Sequence, residues 1–251
     1  MEVIQPVTYV INLDRNPARL KATKSVLAAA GLSFTRVPAV DGRRLEADAG
    51  NAALGTLGRT LSCGEVGCFE SHRLCAKKFF ATGLPYGLVV EDDLALRPMG
   101  KSQLDHLWAS LEHIHGWDVM NLGKNAKRFC TPLLQPGWKE LGTTHYRAHY
   151  FPMTTPAILW SRAGASTFLD LTQQITMPVD LFLRNWTLTT GRGMAFAPSP
   201  FTVRGEESEI DKMQATQGSR CAARNASYLP QRIKRQIQGY LLARKSQKAW
   251  A

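Results

Sequence analysis

"LPYGLVVEDDLALRP" spans residues 84–98. The run Leu88-Val89-Val90 has the composition of a buried strand and leads directly into three carboxylates, Glu91, Asp92 and Asp93. Adjacent carboxylates repel one another, and a solvated turn needs only one or two. A triplet at a strand end suits a hard divalent cation, Mn²⁺ or Mg²⁺, which takes oxygen ligands and keeps positions open for phosphate oxygens. The competing reading is a solvated acidic turn, and the triplet alone does not separate the two.

Outward from this stretch, strand and helix signals alternate. "VTYVINL" (7–13) reads as a strand, and Asn16-Pro17 as a helix start with Asn at the N-cap and Pro in the first turn. Leu20, Thr23, Leu27 and Ala30 continue the helical stripe to Gly31. "FTRVPAV" (34–40) reads as a second strand, and 43–60 as a loop with short helical pieces. Ser62 and Glu65 form a capping-box pattern that predicts a helix over 63–82. A helix near 101–114, a strand at 117–123, an irregular stretch at 124–150, a strand at "PAILW" and a helix at 161–172 follow. Pro178 opens a further helix, and "MAFAPS" closes the core.

This alternation predicts one α/β Rossmann-type domain over 1–211, with a mostly parallel mixed sheet and helices on both faces. Ligands of such sheets bind beyond the carboxyl ends of the strands, and Asp14, Asp41 and Glu91–Asp93 all follow predicted strands. The start "MEVIQPVTYVINLDR" lacks a basic region and a small-residue cleavage site, and no apolar run reaches the roughly 20 residues of a membrane span. A cytoplasmic location is therefore expected. The five cysteines are odd in number and irregular in spacing, which argues against a disulfide framework. Cys63, Cys68, His72 and Cys75 offer four zinc-type ligands. Cys68, His72 and Cys75, however, share one helix face, and packing is the better reading.

Four stretches together resemble glycosyltransferase family 25: "YVINLDRNPARL" (9–20), "FTRVPAVDG" (34–42), "LSCGEVGCFESH" (61–72) and "LVVEDD" (88–93). Weaker similarity continues through "SRAGASTFL", "MPVDLFL" and "SPFTVRGEESEI". The resemblance implies a GT-A-like fold, a nucleotide-sugar donor, an Mn²⁺-type metal and inversion at the sugar carbon. It implies Glu91, Asp92 and Asp93 at the metal and diphosphate, and Asn12, Asp14, Arg15, Arg19 and Asp41 beside the nucleotide. Glu65, Ser71 and His72 match the third block. Galactose from UDP-galactose is the implied sugar, and a lipooligosaccharide or other glycan the implied acceptor.

Such a transfer needs a general base to take the acceptor proton. Asp180 is the candidate, with Glu206 and Glu207 behind it; the alternative for Asp180 is a helix-start carboxylate favoured by the macrodipole. A metal-dependent nucleotidyl or phosphoryl transferase would use the same acidic motif. A non-enzymatic nucleic-acid-binding protein is the third reading, motivated by charge.

The net charge of +11 is concentrated at the end of the chain, because residues 212–251 hold nine Lys/Arg and no carboxylate. Within that basic tail, Ile233, Ile237, Tyr240 and Leu241 form a helical apolar stripe beside Arg232, Lys234, Arg235, Arg244, Lys245 and Lys248. Two readings stand: docking on an anionic membrane at the inner face of the inner membrane, or a helix packed on the domain with a solvated basic end.

Overall fold

The computed structural model describes residues 4–46, 49, 51–133, 137–205 and 225–250. The acidic stretch ends strand β3 (Tyr86–Glu91), which pairs in parallel with β1 (Val7–Asn12); β1 pairs in parallel with β2 (Thr35–Pro38). These three carboxyl ends lie side by side. The sheet continues from β3 through β8 (Ala157–Ser161), β5 (Val119–Asn121), β9 (Gly193–Ala197), β7 (Thr144–Ala148) and β6 (Cys130–Leu133). β8 runs against β3 and β5, and β7 runs against β9 and β6, so six of the eight strands share one direction. A separate ribbon joins β4 (Leu94–Leu96) to β10 (Phe201–Val203).

Alternation along the central strands divides the core in two. Tyr9, Ile11, Val89, Ile158 and Trp160 point to one face, and Val10, Leu88, Val90, Ala157 and Leu159 to the other. The first face is covered by α3 (Cys63–Ala81), α5 (Arg162–Leu171) and α6 (Val179–Thr190), through Phe69, Phe79, Phe168 and Leu183. The second is covered by α1 (Pro17–Ala29) and α4 (Gly100–Ser110), through Leu27, Leu104 and Trp108. The expected α/β layering with helices on both faces is therefore present.

Local expectations hold where the signal is local. Ser62 Oγ accepts from Glu65 N at 3.2 Å, and Glu65 Oε2 accepts from Ser62 N at 2.8 Å, completing the capping box. Pro17 opens α1, but Asn16 makes no side-chain cap bond; its carbonyl instead accepts from Asn12 Nδ2 at 3.0 Å. Residues 42–57 hold two short 3₁₀ turns and α2 (Leu54–Leu57), as the loop reading expects.

The stretch 124–150 is not wholly irregular. It contains the antiparallel pair β6 and β7, with Pro132 inside β6. β6 is the outermost strand of the sheet, the position where a residue without an N–H is tolerated. β4 and β10 also go beyond the sequence reading, since each is three residues long and pairs across more than 100 positions. The expected boundary at 211/212 lies outside the described residues.

The basic tail forms α7 (Tyr228–Trp250), and its two readings meet in one helix. One side lies on the domain: Ala243 is fully buried, Ser246 Oγ lies 2.7 Å from His149 Nδ1, and Gln247 Nε2 donates to Cys130 O at 2.9 Å. Tyr240 belongs to this side, packed against Phe129 and Tyr150. The exposed stripe is instead Leu229, Ile233, Ile237 and Leu241, each more than half exposed at 61%, 57%, 54% and 63%.

Gly67 fixes the approach of α3 to the strand ends. A Cβ there would stand 2.6 Å from Val40 O, too close for any side chain. One turn later, Ser71 Oγ accepts from Val40 N at 2.9 Å and donates to Gly67 O at 2.6 Å. Gly67→Ala is predicted to push α3 from the Asp41 loop and cost about 1–3 kcal/mol, the usual price of overpacking. An unchanged denaturation midpoint would contradict this contact.

Candidate active site

The side-by-side ends of β1, β2 and β3 open into a cleft lined by Asn12, Arg15, Arg19, Asp41, His72 and Glu91–Asp93. Asp92 is the anchor of its floor. Its Oδ2 accepts from Asn12 Nδ2 at 2.6 Å, its Oδ1 meets Arg19 at 2.8 Å, and its backbone oxygen accepts from Thr23 Oγ1 at 2.8 Å and Arg204 at 2.6 Å. Both carboxylate oxygens of Asp92 are thus engaged by this chain. Glu91 points toward α3 and the loop before β8: its Oε1 lies 3.1 Å from His72 Nε2 and accepts from Thr155 Oγ1 at 2.6 Å. Asp93 differs from both. Its Oδ2 lies 3.5 Å from Arg19, while Oδ1 is buried with no hydrogen-bond partner among the described residues.

Burial and mutual repulsion shape the titration of the trio. Desolvation, followed by the charge of Glu91, pushes Asp93 up to about 6. Burial also raises Asp92, against its bond from Asn12 and the charge of Arg19. Burial opposes ionisation of Glu91 as well, but the hydrogen bonds from His72 and Thr155 outweigh it and hold this carboxyl below its ordinary value. A buried carboxylate oxygen without a donor, beside two other acids, fits a divalent cation. Asp93 Oδ1 and the outer oxygen of Glu91 would hold it, with Asp92 fixing Arg19 and Asn12 around them.

On the β2 side, Asp41 is paired with Arg43 at 2.8 Å and Arg15 at 2.7 Å, and the hydrogen bond from Arg43 holds it well below the usual carboxylate range. Ser71 and His72 face the cleft from α3. Asp14 does not line it; its carboxylate is 71% exposed and pairs with Arg36. Glu65 is occupied by its capping bond and a two-pronged pair with Arg59, at 2.7 and 2.6 Å. Asp180 sits in the first turn of α6, accepting from Leu181 N at 2.7 Å and Thr154 N at 3.3 Å. Burial raises its pKa and the charge of Glu91 adds to the rise, so the two carboxylates are close enough to interact. Glu206 and Glu207 lie outside the described residues.

Sequence reasoning missed Arg204 and Thr155. Arg204 follows β10, and its N–H donates to Asp93 O at 2.8 Å; the β4–β10 pairing that brings it there leaves no local signal. Of the four zinc-type ligands, Cys75 is core and Cys63 is buried, while Cys68 and His72 converge instead on Glu91, with ligand atoms within 4.8 Å of one another. Burial drives the Cys68 thiol well up, and nearby Glu91, Asp180, Glu65 and Asp93 push it further. That thiol is neutral and marks the centre of the acidic region.

Asp93 carries a prediction with a definite sign. Its carboxyl near pH 6 in the fold, against about 3.9 unfolded, means the native state holds the extra proton between those values. Stability of the metal-free protein should therefore fall as pH rises from 4 to 6, by on the order of 1–2 kcal/mol from this group. Asp93→Asn should melt higher than the parent at pH 7 and level with it near pH 4. Identical melting temperatures at pH 7 would show that the carboxylate bears no such strain.

A family profile described as glycosyltransferase family 25 (LPS biosynthesis protein) matches residues 5–183. The Bos taurus protein named probable inactive glycosyltransferase 25 family member 3 is 31% identical over 192 residues, covering 70% of this chain and 30% of the relative. The Xenopus laevis protein named procollagen galactosyltransferase 1-A is 30% identical over 187 residues, with the same two shares of 70% and 30%. The chain thus spans less than a third of the length of these relatives. The crystal structure of a glycosyltransferase involved in glycosylation of the major capsid of PBCV-1 aligns with a TM-score of 0.43 at 11% identity, covering 84% of this chain and 99% of that one. With a matched region that holds every lining residue of the cleft, from Ile11 to Asp93, the chain belongs to glycosyltransferase family 25.

Proposed function

We propose that this chain is an inverting glycosyltransferase that moves a sugar, galactose from UDP-galactose, to a hydroxyl of a lipooligosaccharide or other glycan. The observation that carries the reading is the buried, unpartnered Asp93 Oδ1 within an acidic trio at three parallel strand ends. The family description and the name of the Xenopus relative support the sugar-transfer class and the choice of galactose. Mn²⁺ or Mg²⁺ held by Asp93 and Glu91 would act as a Lewis acid toward the leaving diphosphate.

The rest of the work falls to the chain. Arg15 and Arg19 line the cleft where a diphosphate would lie, and their pairing with Asp41 and Asp92 fixes their orientation. Asp180 accepts the acceptor proton; its raised pKa brings it nearer the working pH of a general base. Inversion needs one in-line displacement, with no covalent sugar–enzyme intermediate.

Incubation with UDP-galactose, Mn²⁺ and a glycan acceptor should release UDP, and chelator or Asp93→Asn should abolish that release. Asp180→Asn should slow transfer by on the order of 10²-fold while leaving UDP affinity unchanged. Pyrophosphate or phosphate as the product would instead mark a nucleotidyl or phosphoryl transferase. Salt-dependent retention on DNA without nucleotide-sugar binding would favour the nucleic-acid reading.

The outer face of α7 supports a peripheral position on an anionic membrane. Leu229, Ile233, Ile237 and Leu241 are exposed together, and the helix carries basic residues and no carboxylate. Each such charge contributes about 1 kcal/mol near anionic lipid. No helix among the described residues is long and apolar enough to cross a membrane. Ile233→Ser with Ile237→Ser should reduce binding to phosphatidylglycerol vesicles about tenfold or more without loss of fold. Undiminished vesicle binding by the double variant would remove this face from the contact.

A further inference from the structure

A second recess, of about 490 Å³, runs between α6 and α7. Arg59, Arg184, Arg232 and Arg235 line it, with Tyr150 and Tyr228, and no carboxylate is among its described lining residues. Arg59 is ion-paired, through its two-pronged contact with Glu65. Arg184 lies over the Tyr150 ring at 4.1 Å and donates to Phe151 O at 2.7 Å. Arg235 donates to Thr56 O at 3.2 Å, and Arg232 is exposed. None of these three makes an ion pair among the described residues; Arg184 feels Asp180 one turn earlier on α6 without a bridge to it. Two arginines held by carbonyls and a tyrosine face, with the exposed Arg232 beside them, leave a concentrated positive field around one recess.

The recess also adjoins the candidate site. Three consecutive residues form the link: Met153 lines the recess, Thr154 N donates to Asp180, and Thr155 Oγ1 donates to Glu91. On α6, Leu181 lines the recess immediately after Asp180. The recess therefore adjoins Asp180 through both the 153–155 loop and α6.

We propose that the groove between α6 and α7 holds the anionic part of a glycan acceptor, a phosphate- or carboxylate-bearing sugar whose free hydroxyl reaches Asp180. This rests on the glycosyltransferase reading and adds the charge of its acceptor. Guanidinium groups recognise both oxyanions through paired hydrogen bonds. Burial already disfavours the charge of Arg184 and Arg235, so an arriving anion offsets a desolvation cost present in the free protein.

Calorimetric titration of the full chain with glucose 6-phosphate, glucuronic acid and glucose tests the assignment. Both charged sugars should bind at least about tenfold more tightly than glucose. Arg184→Gln and the double variant Arg232→Gln/Arg235→Gln should each lose about tenfold in that affinity, with UDP affinity unchanged. Arg232 is exposed and Arg235 is half-buried with a single bond to Thr56 O, so the double variant reports even if Arg184→Gln unfolds. Equal binding of glucose and glucose 6-phosphate, or charged-sugar binding that ignores both variants, would overturn the proposal. A parallel loss of UDP affinity would reassign the groove to the donor. Loss of phosphatidylglycerol vesicle binding with sugar-phosphate binding intact would reassign it to lipid. Failure of the unmodified chain to bind UDP would sink the donor assignment alone, since the sugar titrations are read separately.

Discussion

Three neighbouring acids cannot be taken out of water at a strand end unless positive charge and hydrogen-bond donors come with them. That constraint organises this structure. Arg19 comes from α1, Asn12 from the end of β1, Arg204 from beyond β10, His72 from α3 and Thr155 from the loop before β8. Five separate segments around the strand ends contribute groups to the acids, and α1 adds a second through Thr23. The partners outweigh burial at Glu91, fall short of it at Asp92 although both its oxygens are engaged, and leave Asp93 Oδ1 without a hydrogen bond among the described residues. A site that balanced all three would be more stable and would have nothing to offer an incoming cation.

The same economy explains why the framework was legible from sequence and the contacts around it were not. Val7–Asn12, Tyr86–Glu91 and the capped start of α3 announce themselves through composition and spacing within a few residues. The rim position of Asp41 and Glu91–Asp93 follows from strand direction alone. Arg204 and Thr155 reach the site through pairings 112 and 64 residues away, which no local pattern encodes. Asp14 follows a strand as Asp41 does, yet turns outward to Arg36. Which way a side chain faces after a strand depends on the loop that follows, and here the tight approach of Gly67 to Val40 holds the Asp41 loop inward.

Residues 153–155 tie the halves of the molecule together. At positive φ (76°), Thr154 turns its backbone N–H to Asp180 of the α6 turn, between Met153 at the groove and the Thr155 side chain on Glu91. Backbone in that region costs a threonine about 1–2 kcal/mol, so the surrounding bonds must hold it there. The hydrogen bond from Thr154 N to Asp180 is one of them, which couples the placement of this carboxylate to the conformation of the loop.

The last strand of the sheet gives α7 a further duty. Among the described residues β6 pairs with no strand on its outer side, and an unpaired strand edge invites a strand from another chain. Pro132 removes one donor from that edge, and Gln247 of α7 occupies the carbonyl of Cys130. The helix thus works as a guard against self-association. A shortened chain ending before Tyr228 would bare this edge together with Tyr150, and its first defect would be sticking to its own copies in concentrated solution.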